Sequence, residues 1–258
     1  MNVGFTPLAI DDVIEMYGPL PPGISRSAVG EMIAGMAWRR LTQNERDDAF
    51  LETLKVCDNP DLAAACPSGA LRWDTGWQEV LDTIKIHGVS LDTLRPQYFK
   101  YNIIRFCGDY ALVNEPAFEF QLYRMIFRIL YEEFLSHHDA VIEVCCGTGL
   151  NLLEIGELNP AIKLIGYDWA KSSQKILSRI AQSKGLDLKG YCLNLWTLDG
   201  FDASQTPAGR TALLTAHGLE QLGSTLDPFF ELVKQIQPEI VVHIEPLIEY
   251  YNDDLFFD

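Results

Sequence analysis

VIEVCCGTGLN, Val141–Asn151, is the stretch whose reading decides the fold. Val-Ile-Glu-Val reads as the end of a buried strand, Gly147 and Gly149 open a turn, and the residues from Leu150 have helical spacing. Glycines at such a junction remove side chains where a ligand would lie on the backbone, and they adopt angles barred to other residues. The helix that follows offers free N–H groups at its start.

Downstream, short β-rich runs alternate with helical ones. Strands are expected at Ala140–Val144, Lys163–Tyr167, Leu188–Leu193, Thr211–Thr215 and Ile240–Ile244. Helices are expected near Leu150–Leu158, Ala170–Lys184 and Leu226–Ile236. Continuous apolar strands separated by helices predict a doubly wound, mostly parallel α/β sheet covered on both faces. Ligands of such sheets bind outside the carboxyl ends of the strands.

Upstream, residues 1–138 read as a helical domain. Thr42-Gln43-Asn44-Glu45 is a capping box before an amphipathic run to about Cys57. Asp74 reads as the cap of WQEVLDTIKIH, and Gly88 as its stop. Pro116 opens a helix reaching about Leu135, and PLPPG, residues 19–23, is a turn. The expected organisation is therefore a lid or acceptor domain over residues 1–138 and a ligand-binding α/β domain over 139–258.

The chain has 258 residues and a net charge of −16, with 20 Lys and Arg that are mostly scattered. Such a surface repels a phosphate backbone, so no nucleic-acid partner is expected. No apolar run is long enough to predict a membrane span, and the N-terminus lacks the marks of a signal peptide. Six cysteines, widely spaced but for the vicinal Cys145-Cys146 and without C-x-x-C, argue against a zinc ribbon or a disulfide framework and predict reduced thiols in a cytoplasmic protein.

Three readings of the glycine turn compete. A phosphate-gripping loop fails, because no Lys-Ser or Lys-Thr follows the glycines. A dinucleotide fingerprint is incomplete: its third glycine falls on Leu152, or, counted from Cys145 and Gly147, on Leu150. This leaves an NAD-binding oxidoreductase as an alternative. EVCCGTG resembles motif I of the class I S-adenosylmethionine-dependent methyltransferases, with Glu143 as the acidic residue, Cys145 in place of the first glycine, and Gly147 and Gly149 as the others.

The resemblance implies the rest of a cofactor site. Asp168, 25 residues after Glu143, matches the motif II acid that accepts hydrogen bonds from the ribose hydroxyls. Trp169 would lie against adenine, Asn194 and Leu195 would flank the adenine amino group, and the backbone from Thr215 to His217 would line the methionine end. Each has a plainer reading: Glu143 as a strand-end surface charge, Asp168 as a helix cap, Trp169 as core filler. Tyr101 and Arg105, read as one helical turn apart in PQYFKYNIIRFCGDY, would face the cofactor's carboxylate or the acceptor. YFKYNIIRFCGDY, TAHGLEQL and HIEPLIE further resemble bacterial small-molecule or sugar O-methyltransferases.

Methyl transfer to a hydroxyl needs alignment and a base. His217 is the candidate base, with Glu220 to orient it and Glu245 facing the acceptor; a helix-cap or surface imidazole is the plainer reading of His217. His243 reads as a core histidine. A divalent ion held by His217, Glu220 and Glu245 is an alternative, but the set is scattered and no metal is expected. The family's sheet ends in a strand hairpin, and the twelve residues after Pro246 are too few for it. The exposed edge then predicts a homodimer or a partner chain. It also leaves open a non-catalytic, cofactor-binding subunit of another enzyme.

Overall fold

The computed structural model describes residues 4–58 and 70–246. In chain order the elements are β1 (Thr6–Pro7), α1 (Ile10–Tyr17), α2 (Arg26–Met32), β2 (Ala37–Arg40), α3 (Gln43–Cys57), α4 (Ala70–His87), α5 (Leu91–Leu94), β3 (Ile103–Phe106), β4 (Asp109–Val113), α6 (Phe118–Leu130), β5 (Ala140–Val144), α7 (Leu150–Leu158), β6 (Lys163–Asp168), α8 (Lys171–Lys184), β7 (Leu188–Cys192), β8 (Thr211–Ala216), α9 (Asp227–Ile236) and β9 (Ile240–Ile244). A π-helical turn, Tyr131–Leu135, follows α6. The elements group into two compact units, one of residues 4–58 with 97–133, the other of 70–96 with 134–246. Residues 70–96, expected in the N-terminal domain, belong with the α/β unit, so the division is not a single break near residue 138.

The first unit is not purely helical. Besides α1–α3 and α6 it holds a four-stranded antiparallel sheet in the order β1-β2-β4-β3. β3 and β4 form a hairpin over Cys107 and Gly108, whose φ angles are 52° and 74°. A two-residue turn with both central φ positive matches the right-handed twist of its flanking strands. Trp38 on β2 meets Phe106 edge-on at 5.0 Å, and Phe106 meets Phe118 the same way at 5.7 Å. Around them Val13, Val29, Met36, Val113 and Met125 are buried. The Thr42 capping box forms as expected, with Glu45 receiving the Thr42 N–H at 2.8 Å. Gly88 ends α4 with φ +81° and donates to the Ile84 carbonyl.

The second unit carries a parallel sheet in the order β7-β6-β5-β8-β9. Chain order reverses beside β5, which makes its carboxyl end the switch point of a Rossmann-like sheet. All five residues of β5 are buried, as a strand covered on both faces requires. Ile142, Val144, Tyr167, Leu213 and Leu232 form its core. Each such side chain contributes about 1.5–3 kcal/mol by leaving water. β5, β9 and α7 occupy the spans expected from the sequence, and β6, β7, β8, α8 and α9 differ from expectation by a residue at one end.

Asp74 is inside α4, not at its start, because the helix already begins at Ala70. Its carboxylate instead receives the Ser172 N–H at 2.8 Å and the Ser172 hydroxyl at 2.7 Å. Ser172 is in the first turn of α8, whose own N-cap, Ala170, has no side-chain acceptor. A residue 98 positions earlier thus caps α8 and pins α4 beside it. The Ser172 N–H in turn holds the Asp74 carboxyl below its usual range.

Candidate functional site: an aromatic cleft at the sheet switch point

Beyond the carboxyl ends of β5, β6 and β8 opens a cleft of about 570 Å³, counting space continuous with solvent. Its floor includes Cys145 at the start of the glycine turn, whereas Gly147 and Gly149 are not among the lining residues. Cys145, Gly147 and Gly149 have φ of 60°, 52° and 71°. Cys145 therefore keeps the left-handed backbone that glycine prefers, at a cost of about 1–2 kcal/mol. His217, at the end of β8, does the same with φ 53°. Strands β5 and β8 are neighbours, with Val144 paired to Thr215, so the two strained residues follow adjacent strand ends. Both lie on the cleft wall.

Asp168 ends β6 and is buried, and it also lines the cleft. One carboxylate oxygen accepts the Gly147 N–H at 2.9 Å; the other accepts the Ala170 N–H at 2.8 Å. It ties the glycine turn to the start of α8. Burial pushes its pKa up to about 6 against the pull of those two N–H groups. A carboxylate has about four acceptor positions, so two donors do not exhaust it. Asp168 is not the N-cap of α8, which is Ala170; it closes a turn onto the Ala170 N–H and still has acceptor positions for a ligand. Ser173 closes the turn from below by donating to the Gly147 carbonyl.

The walls are aromatic. Trp169 and Trp196 lie with ring centroids 4.8 Å apart, and Trp73 and Trp77 with centroids 5.4 Å apart. All four line the cleft, together with Tyr167 and Leu195. Trp77 rests on the glycine turn: a Cβ at Gly147 would sit 3.0 Å from its indole Cζ2. Trp169 is therefore wall and not core filler. Sequence reasoning missed Trp73, Trp77 and Trp196. Two tryptophans one helical turn apart in RWDTGW, and a third closing CLNLW, were the available signal.

Other expected site residues are elsewhere. Glu143 is buried and is neither a surface charge nor on the cleft wall. Its Oε1 accepts from Asn151 of α7 at 2.7 Å, and its Oε2 has no partner. Asn194 turns back on its own loop, where its amide oxygen accepts the Trp196 N–H at 3.0 Å. Thr215 is buried, its hydroxyl 2.8 Å from His243 Nδ1. His243 is exposed on β9, against the core position expected for it, although burial of its ring lowers its pKa. Glu245 does not face the cleft but caps the turn after β8: one oxygen accepts the Gly218 and Leu219 N–H groups at 3.1 and 3.2 Å. Glu220 is exposed, and its carboxylate accepts from Gln221 at 3.2 Å. Among the described residues no group of His, Cys, Asp and Glu is placed to hold a metal ion, so the His217, Glu220 and Glu245 set does not assemble as one. Tyr101 and Arg105 belong to the first unit. Arg105 is on strand β3 with its guanidinium over the Tyr110 ring, so the pair is not one helical turn apart, and Tyr101 is exposed.

Cys107, Cys145, Cys146 and Cys192 are free thiols. Burial raises Cys145 and Cys146 well above the usual thiol range, which keeps them protonated and unreactive. Cys66 and residues 247–258, including the segment where a hairpin was expected to be missing, lie outside the described residues. Among the described residues no helix is long and apolar enough to cross a membrane.

Burial pushes Glu143 up to about 8. Its folded-state pKa exceeds the unfolded value of about 4.3, so its contribution to stability is full at acid pH and is lost as pH rises through 8. Asp168 behaves the same way below 6. Urea unfolding at pH 6 and pH 8 is expected to show the wild type losing about 2 kcal/mol more than Glu143→Gln over that window. Parallel profiles would rule out a buried, protonated Glu143.

No protein-family model matches the chain, and neither does any curated protein. Among solved structures it resembles a putative O-methyltransferase from Nostoc punctiforme PCC 73102, at 16% identity over 46% of this chain and 35% of that one, with a TM-score of 0.36. It resembles PKMT2 from Rickettsia typhi in complex with AdoHcy, at 18% over 38% and 19%, with a TM-score of 0.31. It resembles the 16S rRNA methylase RmtB, at 16% over 95% and 87%, with a TM-score of 0.41. The chain spans less than half the length of the first two. At these values what the protein does has to be argued from its own cleft.

Proposed function

We propose that the chain binds S-adenosylmethionine in the aromatic cleft and transfers its methyl group to a hydroxyl of a small molecule. The observation that carries this reading is Asp168: a buried carboxylate at the end of the second sheet strand, holding the glycine turn and still facing the cleft. Its remaining acceptor positions suit the two ribose hydroxyls. Trp169 and Trp196 offer indole faces for adenine, with Leu195 beside them. The donor set therefore fits the cofactor, which supplies a methyl group already attached to a good leaving group. His217 lies on the same wall, where an imidazole can take the hydroxyl proton of an acceptor. The net charge of −16 favours a small acceptor over nucleic acid.

Calorimetry with S-adenosylmethionine and S-adenosylhomocysteine, and NAD as control, tests the cofactor. Micromolar binding of S-adenosylmethionine and S-adenosylhomocysteine and none of NAD is expected; the reverse pattern would sink the reading in favour of an oxidoreductase. With an acceptor in hand, His217→Ala is expected to cut kcat by about 10²–10⁴-fold while S-adenosylhomocysteine still binds. Binding without any turnover, indifferent to His217→Ala, would point to a non-catalytic subunit.

A further inference from the structure

Four of the chain's five tryptophans line one cleft. They come as two pairs with different supports. Trp169 and Trp196 sit on the loops after β6 and β7, next to Asp168. Trp73 and Trp77 sit one turn apart on α4, with ring planes only 30° apart. The cofactor proposed above has a single aromatic ring system, and one pair is enough for it. The second pair has no task in that reading.

The rest of the wall says what the second pair suits. Its polar side chains are few: Asp168, His217, Gln221 and a Tyr167 whose hydroxyl is directed to Gln205 at 3.4 Å. Among the described residues no lysine or arginine lines the cleft. An anionic acceptor would find no cation there. A sugar would lose water from several hydroxyls and find too few partners to replace it. A flat, uncharged ring stacks on indole and leaves few polar groups unpaired.

We propose that Trp73 and Trp77 form the acceptor wall, and that the acceptor is a planar, uncharged aromatic molecule bearing a hydroxyl, not a sugar. This rests on the cofactor reading above. Trp77, which touches the glycine turn, separates the cofactor from the acceptor, and Trp73 contacts the acceptor alone. The anchoring of α4 through Asp74 to the first turn of α8 holds the wall at a set distance from Asp168.

The test is calorimetric titration of the full chain, with and without saturating S-adenosylhomocysteine, using 2-naphthol as the planar probe and methyl α-glucoside as the sugar. The wild type is expected to bind 2-naphthol and not the glucoside. Trp73→Ala is expected to weaken 2-naphthol at least tenfold and S-adenosylhomocysteine less than twofold, and Trp73→Phe to restore most of the loss. Circular dichroism confirms that each variant is folded. Absence of 2-naphthol binding, preference for the glucoside, or equal loss of both ligands in folded Trp73→Ala would overturn the proposal. Wild-type binding of 2-naphthol by a folded chain that fails to bind S-adenosylhomocysteine would overturn the cofactor reading and leave the aromatic wall standing.

Discussion

Asp168→Ala is expected to weaken S-adenosylhomocysteine binding by at least about a hundredfold. Two hydrogen bonds from ribose hydroxyls to a carboxylate contribute about 1.5–3 kcal/mol each, and both are lost together. The same change strips the Gly147 and Ala170 N–H groups of their acceptor. Leaving them unpaired costs about 1–3 kcal/mol each, offset in part because a carboxyl pushed up to about 6 no longer has to be held in the interior. The thermal midpoint is therefore expected to fall less than the affinity. Asp168→Asn, which keeps one acceptor oxygen, separates the two effects: it should recover much of the stability and little of the binding. Affinity of the wild type should also fall as pH drops through about 6, because the protonated carboxyl loses acceptor capacity. Calorimetry at pH 5 and pH 7.5 checks this, and a pH-independent Kd would remove Asp168 from the binding site.

Gly218→Ala should be among the most damaging single-methyl additions in the α/β unit. A Cβ at residue 218 would lie 2.3 Å from the Cβ of Cys145. Neither side can yield easily: Cys145 is held in the left-handed region, and the 218–219 backbone is pinned by Glu245. Overpacking of this kind costs about 1–3 kcal/mol, and the upper end is expected here. Because His217 immediately precedes the collision, cofactor affinity should fall as well. The decisive comparison is the double variant. Cys145→Gly removes the opposing Cβ and suits the positive φ, so Cys145→Gly with Gly218→Ala should recover to within about 1 kcal/mol of wild type by urea unfolding. Additive losses would mean that the two residues are not in contact.

These two residues mark where sequence reading succeeds and where it stops. The parallel sheet was legible because most of its strands are apolar runs bounded by turn or helix signals, a pattern that needs no knowledge of neighbours; β7, LKGYC, is the exception. The glycine turn was legible because its positive φ angles at Gly147 and Gly149 favour glycine, and Asp168 because a strand-to-helix junction favours a short side chain that accepts backbone N–H groups. The first unit's sheet was not. Its hairpin turn is Cys107-Gly108, without the Asn-Gly or Asp-Gly that usually announces one, and β1, β2 and β3 are no longer than four residues.

What only the tertiary structure decided is which side chains converge. Asp74 looks like the cap of its own helix and caps one 98 residues away. Glu143 looks like a cofactor contact and is sealed beneath the turn. Glu245 looks like a catalytic carboxylate and holds a backbone loop, and Trp73 and Trp77, which no motif singles out, form a cleft wall. Local pattern reflects the backbone choices of one segment. Burial, a raised pKa and a shared wall come from segments far apart in the chain, and their energies exist only once the sheet has brought those segments together.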